Sequence, residues 1–400
     1  MLNVLPLVLF LLLLAAAFKV SFVFHVLYLL LGVYIVARLW SRWALGAVRP
    51  EHLFEPFALL GDHVEVRLRI RNRGLLPVPW LNVYDHLPVR LAAPAYFTRT
   101  LSLLPLEETS FRFTLHCRHR GYYPLGPLRL HSGDLFGFEE RERGIGEVQY
   151  LTVYPRIIPL EKLGFPSRMP FGHLPTGQRI YEDPSRVVGV RDYQAGDSLR
   201  KVNWKVSARI GHLQVKKYEP AITLDTVILL NLSLDEYDTH RLDYSTEVGI
   251  TVAASLASHL ASLRQQVGLI TNGHDAAEEG EPAELVGLPP RKGQGHLVRL
   301  LQLLARLEYV KRERPFVGAI QEVARRLPWG ATLVIVAPRE TDDLLDTSFS
   351  LRRSGFNLVL VYVDDPERTE ASLRSRTMGF ASHLIWKEDD FNVWRRQQKA

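Results

Sequence analysis

The chain has 400 residues, which is too long for one ordinary domain and predicts two or three domains. Hydrophobic residues make up 47% and charged residues 23%, so disordered, collagen-like and mucin-like chains are excluded. The formal net charge is +6, but residues 1–50 contribute four basic groups and no acid, which leaves the rest of the chain nearly neutral. No nucleic-acid partner is therefore indicated. The single cysteine, Cys117, excludes an intramolecular disulfide and a thiolate metal cluster.

Two apolar runs open the chain. Residues 2–18 carry no charge, and a second run covers residues 21–37, interrupted only by His25. Because a membrane helix needs about 17–25 apolar residues, the two runs predict a transmembrane helical hairpin within residues 1–43. A single anchor and a cleaved signal peptide are the alternatives, although no basic residue precedes the first run.

Basic and aromatic residues follow the second apolar run. They are Arg38, Trp40, Arg42, Trp43 and Arg49. Tryptophan suits the membrane interface, and arginine accumulates on the cytoplasmic side of a span. We therefore expect a multi-pass protein of the cell membrane with two spans and with its soluble domains in the cytoplasm.

Apolar residues alternate with polar ones in the middle of the chain, which is typical of half-buried strands. Val64, Val66, Leu68 and Ile70 alternate with charged residues. The same spacing recurs at Phe111, Phe113, Leu115, Leu128, Leu130, Leu151 and Val153. Short strands separated by proline and glycine predict an all-β sandwich over residues 50–160.

Strand-length apolar runs alternate with helical patterns from residue 221 to residue 400. The runs cover residues 226–232, 267–270, 332–336 and 358–363, and residues 382–386 are expected to form a short last strand. Helical spacing marks residues 248–263, 297–307 and 316–327, whereas residues 274–290 are expected to form a loop. This order predicts an α/β domain with a mostly parallel, Rossmann-like sheet that is covered on both faces.

The segment between these two regions, residues 161–220, contains the most distinctive motif of the chain. Gly196 marks a turn, and Asp197 is placed to cap a short helix that carries Trp204. A strand is expected at residues 213–218. We expect Trp204 to be buried, and we expect Asp197 to bind backbone amides or a nearby arginine, as in a packed connector between two domains. A surface for a partner protein is the alternative for this stretch.

This motif resembles the core of the family called domain of unknown function 58. The matching residues are Arg191, Tyr193, Gly196, Asp197, Arg200, Trp204, Ser207, Ala208 and Arg209. Residues 121–127, 132–137 and 295–297 also resemble the family, although Leu135 stands where the family often has proline.

The resemblance implies a membrane hairpin, a β module and a von Willebrand factor A-like domain over residues 221–400. It also implies a partner, because such proteins are often encoded beside AAA+ ATPases of the MoxR type. Other membrane or envelope proteins are further expected partners. The implied role is the assembly or maturation of protein complexes.

A von Willebrand A domain holds Mg²⁺ with an Asp-x-Ser-x-Ser turn and a distant acid. In this chain the turn reads Asn231, Ser233 and Asp235, and Asp342 is the candidate distant acid. An amide replaces the first carboxylate, although Mg²⁺ favours charged oxygen ligands. We expect a degenerate site that holds no metal and no other cofactor. A repurposed metal-dependent ligand site is the alternative.

The chain carries none of the common catalytic motifs. It has no nucleophile elbow, no phosphate-binding loop and no dinucleotide fingerprint. Cys117 follows His116 in a β pattern, so the two side chains point to opposite faces. His116, His119 and His131 match no zinc-ligand spacing. We expect a non-enzymatic interaction protein, with metal-dependent ligand binding and hydrolysis at an unrecognised site as alternatives.

Overall fold

The structure is a computed structural model, and it describes residues 10, 21–134, 140–160, 182–194, 197–220, 225–278, 280–281, 283–363 and 374–385. The chain forms two compact units, Met1–Arg156 and Ile157–Ala400. The first unit is mainly β, and the second is mainly α/β.

Helix α1 covers Ser21–Gly46 in the first unit. Its stretch Phe24–Gly46 is long and apolar enough to cross a membrane by its length and composition. The described residues contain one such helix rather than the predicted hairpin. The predicted first span, residues 2–18, lies outside the described residues except for Phe10.

The end of α1 differs from the sequence-based expectation. The hairpin was expected to end at residue 43, but α1 continues to Gly46. Its last turn is held by the β module, because Ala44 and Leu45 are buried in the core of that module. The indole nitrogen of Trp40 donates to the carbonyl oxygen of Pro77 at 3.0 Å.

After α1, the described residues of the first unit form ten strands in three sheets. The strands are β1 (Val48–Leu53), β2 (Phe57–Leu59), β3 (His63–Asn72), β4 (Val78–His86), β5 (Tyr96–Leu103), β6 (Glu108–His116), β7 (Gly121–Leu125), β8 (Leu128–Gly133), β9 (Glu140–Ile145) and β10 (Gln149–Tyr154). Their orders are β1-β3-β6, β5-β4-β8-β9 and β2-β10-β7. All pairs are antiparallel except β2 with β10. The expected β-rich middle region is therefore confirmed.

Strand β3 connects the two cores of this module. Its side chains alternate between buried and exposed, as the sequence predicted. Leu68 and Ile70 pack in a cluster with residues of β4 and β8, whereas Val64 and Val66 pack in a second cluster with residues of β7 and β10. Truncating such a buried leucine to alanine costs about 2–5 kcal/mol.

A two-stranded ribbon is the first pair of strands among the described residues of the second unit. Strand β11 (Glu182–Asp192) pairs antiparallel with β12 (Gln214–Pro220). Their connection contains a 3₁₀ turn (Leu199–Lys201) and helix α2 (Trp204–Ile210). The predicted strand over residues 213–218 corresponds to β12.

A six-stranded sheet forms the centre of the second unit, in the order β16-β14-β13-β18-β19-β20. Its strands are β13 (Thr226–Leu230), β14 (Val267–Thr271), β16 (Val286–Arg291), β18 (Thr332–Ala337), β19 (Asn357–Tyr362) and β20 (Ala381–Leu384). Five strands are parallel, and β16 is antiparallel to β14. Two short strands, β15 (His274–Asp275) and β17 (Leu307–Glu308), pair outside this sheet.

Helices cover both faces of the sheet, as expected. They are α3 (Leu242–Ser262), α4 (Gln294–Arg306), α5 (Phe316–Ala324) and α6 (Asp342–Arg353), and a short α7 (Arg374–Thr377) precedes β20. Ile228 and Leu230 of β13 share a core with α3 and α4, whereas Val227 and Leu229 share a core with α5 and α6.

The expected loop over residues 274–290 is wrong, because its end forms β16. Two prolines at residues 289–290 obscured this strand, but an edge strand tolerates proline. Gly287 allows the close approach of β16 to β14, since a Cβ atom there would lie 2.2 Å from the carbonyl oxygen of Leu269.

Candidate functional site

The carboxyl ends of β13 and β18 form the crevice where a doubly wound sheet usually binds ligands. Strand β13 is followed by β14 on one side of it and by β18 on the other, so the strand order reverses at this point. Asn231 directly follows β13, and its backbone N–H donates to the carbonyl oxygen of Val336 in β18 at 2.9 Å. The turn that carries the candidate ligands Asn231, Ser233 and Asp235 therefore lies at this carboxyl edge of the sheet.

Asn231 is fully buried, and both ends of its side-chain amide are bonded. Its Oδ1 accepts from the backbone N–H of Ser233 at 3.0 Å and from Nδ2 of Asn272 at 3.1 Å. Its Nδ2 donates to Oε2 of Glu236 at 2.8 Å. Because an amide oxygen has two lone pairs, these two donors occupy the position that a metal ion would need.

Glu236 and Asn272 complete this network, and neither residue was predicted from the sequence. Oε1 of Glu236 accepts from the backbone N–H of Phe316 at 2.9 Å, where a carboxylate suits the start of α5. Oδ1 of Asn272 accepts from the backbone N–H of Leu232 at 2.7 Å. The available signal was position, since Asn272 follows β14 as Asn231 follows β13.

The four candidate metal ligands have different environments. Asn231 and Ser233 are buried, whereas Asp235 and Asp342 are exposed. Asp342 lies at the start of α6 and forms an ion pair with Arg374. Among the described residues, no group of three or more His, Cys, Asp or Glu side chains is arranged to hold a metal ion. The donors present do not fit Mg²⁺, which favours several carboxylate and water oxygens.

The pocket beside this turn is small. It has a volume of about 120 Å³ and is lined by Asp235, Glu236, Phe316 and Arg339, among others. Pockets that take drug-sized ligands usually measure about 300–1,000 Å³. The crevice has room for a few water molecules or a small ion rather than for a larger substrate.

The distinctive motif is fixed at one end by an ion pair between Arg191 and Asp197. Both guanidinium–carboxylate contacts measure 2.6 Å, and Oδ2 of Asp197 also accepts from the backbone N–H of Gln194 at 2.9 Å. The hydrogen bonds from Arg191, followed by that from Gln194, lower the pKa of Asp197 from 3.8 to about 2. Asp197 therefore binds an arginine and a backbone amide, as expected, but it closes a turn rather than capping a helix.

Hydrogen bonds also fix the other end of the motif. Oδ1 of Asn203 caps α2 by accepting from the N–H of Val206 at 3.3 Å, and Gly211 ends the helix with a φ of 85°. The hydroxyl of Ser207 donates to the carbonyl of Asn203 and accepts from the N–H of Gln214, both at 2.8 Å. Helix α2 is thereby held on β12.

The expected burial of Trp204 is wrong, because 63% of this residue is exposed. Helix α2 has seven residues, and Ser207 is its buried member. Trp204 lies at the first position of the helix and points away from this buried face. The remaining motif residues lie as follows: Tyr193 is half-buried, Ala208 and Arg209 are exposed, and Gly196 and the Arg200 side chain lie outside the described residues.

Other large apolar side chains of the same short segment are also exposed. They are Leu199 at 59%, Ile210 at 49% and Leu213 at 38%. Lys205 and Arg209 are exposed on α2 beside them in sequence. We call Leu199, Trp204, Lys205, Arg209 and Ile210 the α2 surface.

Cys117 does not have the properties of a nucleophile. It is buried, and burial, followed by the nearby Asp62 carboxylate, raises the pKa of its thiol from 9.0 to about 11. A reactive cysteine needs a lowered pKa and access to solvent. The ring of His116 stacks edge-on against the ring of His63, with 4.7 Å between their centroids.

Comparisons with known proteins agree with the resemblance carried by the motif. Residues 189–373 match the family described as Protein of unknown function DUF58, and this match contains residues 191–209. The uncharacterized protein YeaD of Bacillus subtilis (strain 168) is 24% identical over 303 residues, which are 71% of this chain and 68% of that protein.

Similar solved structures cover about a quarter of the chain. A CARDB domain in complex with di-metal ions from Pyrococcus furiosus matches 26% of this chain and 86% of its own, with 18% identity and a TM-score of 0.20. A beta-glucosidase from Listeria innocua matches 26% of this chain and 16% of its own, with 13% identity and a TM-score of 0.18. Scores this low support no conclusion about fold or function.

Proposed function

We propose that this chain belongs to the DUF58 family and is a membrane-anchored, non-enzymatic interaction protein. Its proposed partner is an AAA+ ATPase of the MoxR type, with which it acts in the assembly or maturation of protein complexes. The observation that carries this proposal is the exposure of Trp204, at 63%, on an otherwise firmly bonded motif.

A rigid frame with an exposed tryptophan suits recognition. The Arg191–Asp197 ion pair and the Ser207 hydrogen bonds fix the backbone around α2 before any partner binds. Because the backbone is already ordered, less conformational entropy is lost when a partner binds. Tryptophan and arginine dominate the binding energy of many interfaces, and the α2 surface exposes Trp204 and Arg209.

Helix α1 supports membrane anchoring. Large apolar side chains are exposed along residues 22–39, among them Phe22 at 75%, Leu29 at 68% and Val36 at 61%. These residues measure about 27 Å along the helix axis, close to the roughly 30 Å of a bilayer core. The arginines that follow support a cytoplasmic position for the soluble units, and residues 2–18 are proposed as a second span.

The Asn231 network supports a von Willebrand A-like domain that works without a metal. The side-chain amide of Asn231 holds this turn in place through hydrogen bonds, where a metal ion would hold it in a metal-binding domain. We therefore favour the degenerate site over the metal-dependent alternative. Hydrolysis with Cys117 as the nucleophile is disfavoured, because this thiol is buried and its pKa is raised.

Crosslinked copurification tests the partnership. The full-length tagged chain is crosslinked in membranes, solubilised and purified, and the captured proteins are identified by mass spectrometry. An AAA+ ATPase of the MoxR type should be captured by the tagged chain and not by an untagged chain treated in the same way. Its absence from the captured proteins would contradict the proposal.

A further inference from the structure

A wide cleft lies between the end of α1 and strand β9 in the first unit. It has a volume of about 900 Å³ and is lined by Arg42, Trp43, Gly46, Arg141 and Arg143, and also by Glu140 and Glu142. We call it the α1–β9 cleft. Its three arginines make it a candidate anion site.

The alternation of β9 separates its charges onto two faces, because successive side chains of a strand point to opposite sides. Glu140 lies 3.4 Å from Nε2 of His131, and Glu142 lies 3.8 Å from Nη1 of Arg129, on the neighbouring strand β8. Arg143 lies on the other face, and its guanidinium is close to Gly46 at the end of α1. A Cβ atom built on Gly46 would lie 3.9 Å from Nη1 of Arg143. The acids of β9 therefore interact with β8, and the arginines face the end of α1.

Two guanidinium groups of the cleft lack carboxylate partners within the part of the chain that the structure describes. Arg42 and Arg143 are exposed and take part in no ion pair or hydrogen bond there. Guanidinium groups bind the oxygens of carboxylates and phosphates in pairs. The cleft thus offers two cations to an anion that the protein itself does not supply.

The position of the cleft along α1 indicates which kind of anion it would meet. The exposed apolar part of α1, residues 22–39, ends three residues before Arg42. Trp43 is 64% exposed at the same level, which is the usual place of tryptophan at a membrane surface. Phosphate groups of lipids lie at this depth, immediately outside the hydrocarbon core.

We infer that the α1–β9 cleft binds the phosphate of an anionic phospholipid through Arg42 and Arg143, with Trp43 against the acyl-chain boundary. This inference rests on the proposed membrane anchoring by α1. Lipid binding would fix the β module against the bilayer at a defined height.

Native mass spectrometry of the full-length chain in detergent tests this inference. The chain is titrated separately with phosphatidylglycerol and with phosphatidylcholine. We expect one molecule of phosphatidylglycerol to bind at least about tenfold more tightly than phosphatidylcholine, because each basic residue near an anionic lipid contributes a several-fold preference. The double variant Arg42→Gln/Arg143→Gln should lose this preference.

The matched control is the double variant Arg90→Gln/Arg118→Gln, which removes the same charge. Both residues are exposed near Leu91 and His116, at the His63 end of β3, whereas α1 meets the module at the opposite end. This control should keep the preference. Equal melting temperatures of all three proteins would exclude misfolding as the cause of any loss.

Three results would overturn the inference. They are equal affinity of the wild-type chain for both lipids, an unchanged preference in Arg42→Gln/Arg143→Gln, and displacement of phosphatidylglycerol by an equal concentration of inorganic phosphate. The last result would assign the cleft to a soluble phosphate. None of them would contradict the proposed function, because membrane fractionation depends on the apolar part of α1 and partner capture depends on the α2 surface.

Discussion

The side-chain nitrogen of Asn231 lies 2.8 Å from Oε2 of Glu236, so an amide and a carboxylate meet at the end of β13. Two carboxylates in this position would repel each other. The amide is therefore the group that this network requires, and its other end accepts from Ser233 and Asn272. The turn is stabilised from within the protein.

We predict that Asn231→Asp destabilises the protein and does not create a magnesium site. The new carboxylate would face Glu236 and would leave Oε2 of Glu236 without its donor. A buried polar group that loses its partner costs about 1–3 kcal/mol, and a charged group costs more. Thermal unfolding with and without millimolar Mg²⁺ measures both effects.

The control for this experiment is Asp235→Asn in the same turn. Asp235 is exposed, and an exposed substitution of this kind usually changes stability by less than about 0.5 kcal/mol. If Mg²⁺ raised the melting temperature of Asn231→Asp to that of the wild-type chain, the turn would be a metal site that had lost one ligand.

The Arg191–Asp197 ion pair predicts a defined pH dependence of stability. The pKa of Asp197 is about 2 in the folded chain, below its ordinary value of 3.8, because Arg191 donates to the charged form. A lowered pKa contributes stability that is complete above about pH 4 and is lost as the pH falls towards 2. Asp197→Asn should therefore melt below the wild-type chain at pH 7, and the difference should shrink below pH 4.

Asp346→Asn is the matched control, because Asp346 is exposed on α6. Its melting temperature should follow that of the wild-type chain over the whole pH range. A constant difference between Asp197→Asn and the wild-type chain from pH 7 to pH 2 would contradict the assignment of the ion pair.

Cys117 should react slowly with iodoacetamide in the folded chain. Its pKa of about 11, against 9.0 for an ordinary thiol, lowers the fraction of thiolate at pH 7 about a hundredfold. Labelling in guanidinium chloride should be faster by at least this factor, and Cys117→Ser should not be labelled. Equal rates in the folded and unfolded chain would show an accessible, activated thiol.

The orientation in the membrane is tested by reporter fusions at Ala400. The basic cluster after α1 predicts a cytoplasmic carboxyl-terminal unit. A reporter that is active only in the cytoplasm should work in this fusion, and one that needs export should be silent. The reverse pattern would favour a cleaved signal peptide over the membrane anchor.

The strands and helices could be predicted from the sequence because their buried positions are occupied by apolar residues at regular spacing. Strand β3 shows strict alternation. Strands β13 and β18 are mainly apolar and are buried along their whole length, because both faces of the sheet are covered. The bond between Asp197 and Arg191 was also foreseeable, since opposite charges six residues apart flank a turn.

Features that depend on tertiary contacts have no such pattern in the sequence. A helix of seven residues is too short for its pattern to show which face is buried, so the exposure of Trp204 was missed. The bond between Asn231 and Asn272 joins residues 41 positions apart, and neither residue type indicates burial. Strand β16 was missed because its prolines are acceptable only at the edge of a sheet, and its edge position depends on the fold.

The central claim is that the α2 surface recognises the partner, and the most direct test compares Trp204→Ala with Trp329→Ala. Trp329 is 59% exposed in the same unit, so its removal controls for the loss of an exposed tryptophan. Both variants are measured by thermal unfolding and by crosslinked capture of the proposed partner, an AAA+ ATPase of the MoxR type. The free energy of unfolding of Trp204→Ala should lie within about 0.5 kcal/mol of the wild-type value, and this variant should lose most of the captured ATPase. Trp329→Ala should still capture the ATPase. Two results would contradict the account. One is full capture of the ATPase by Trp204→Ala, and the other is a decrease of about 3–5 kcal/mol in its free energy of unfolding, which is typical of truncating a buried ring.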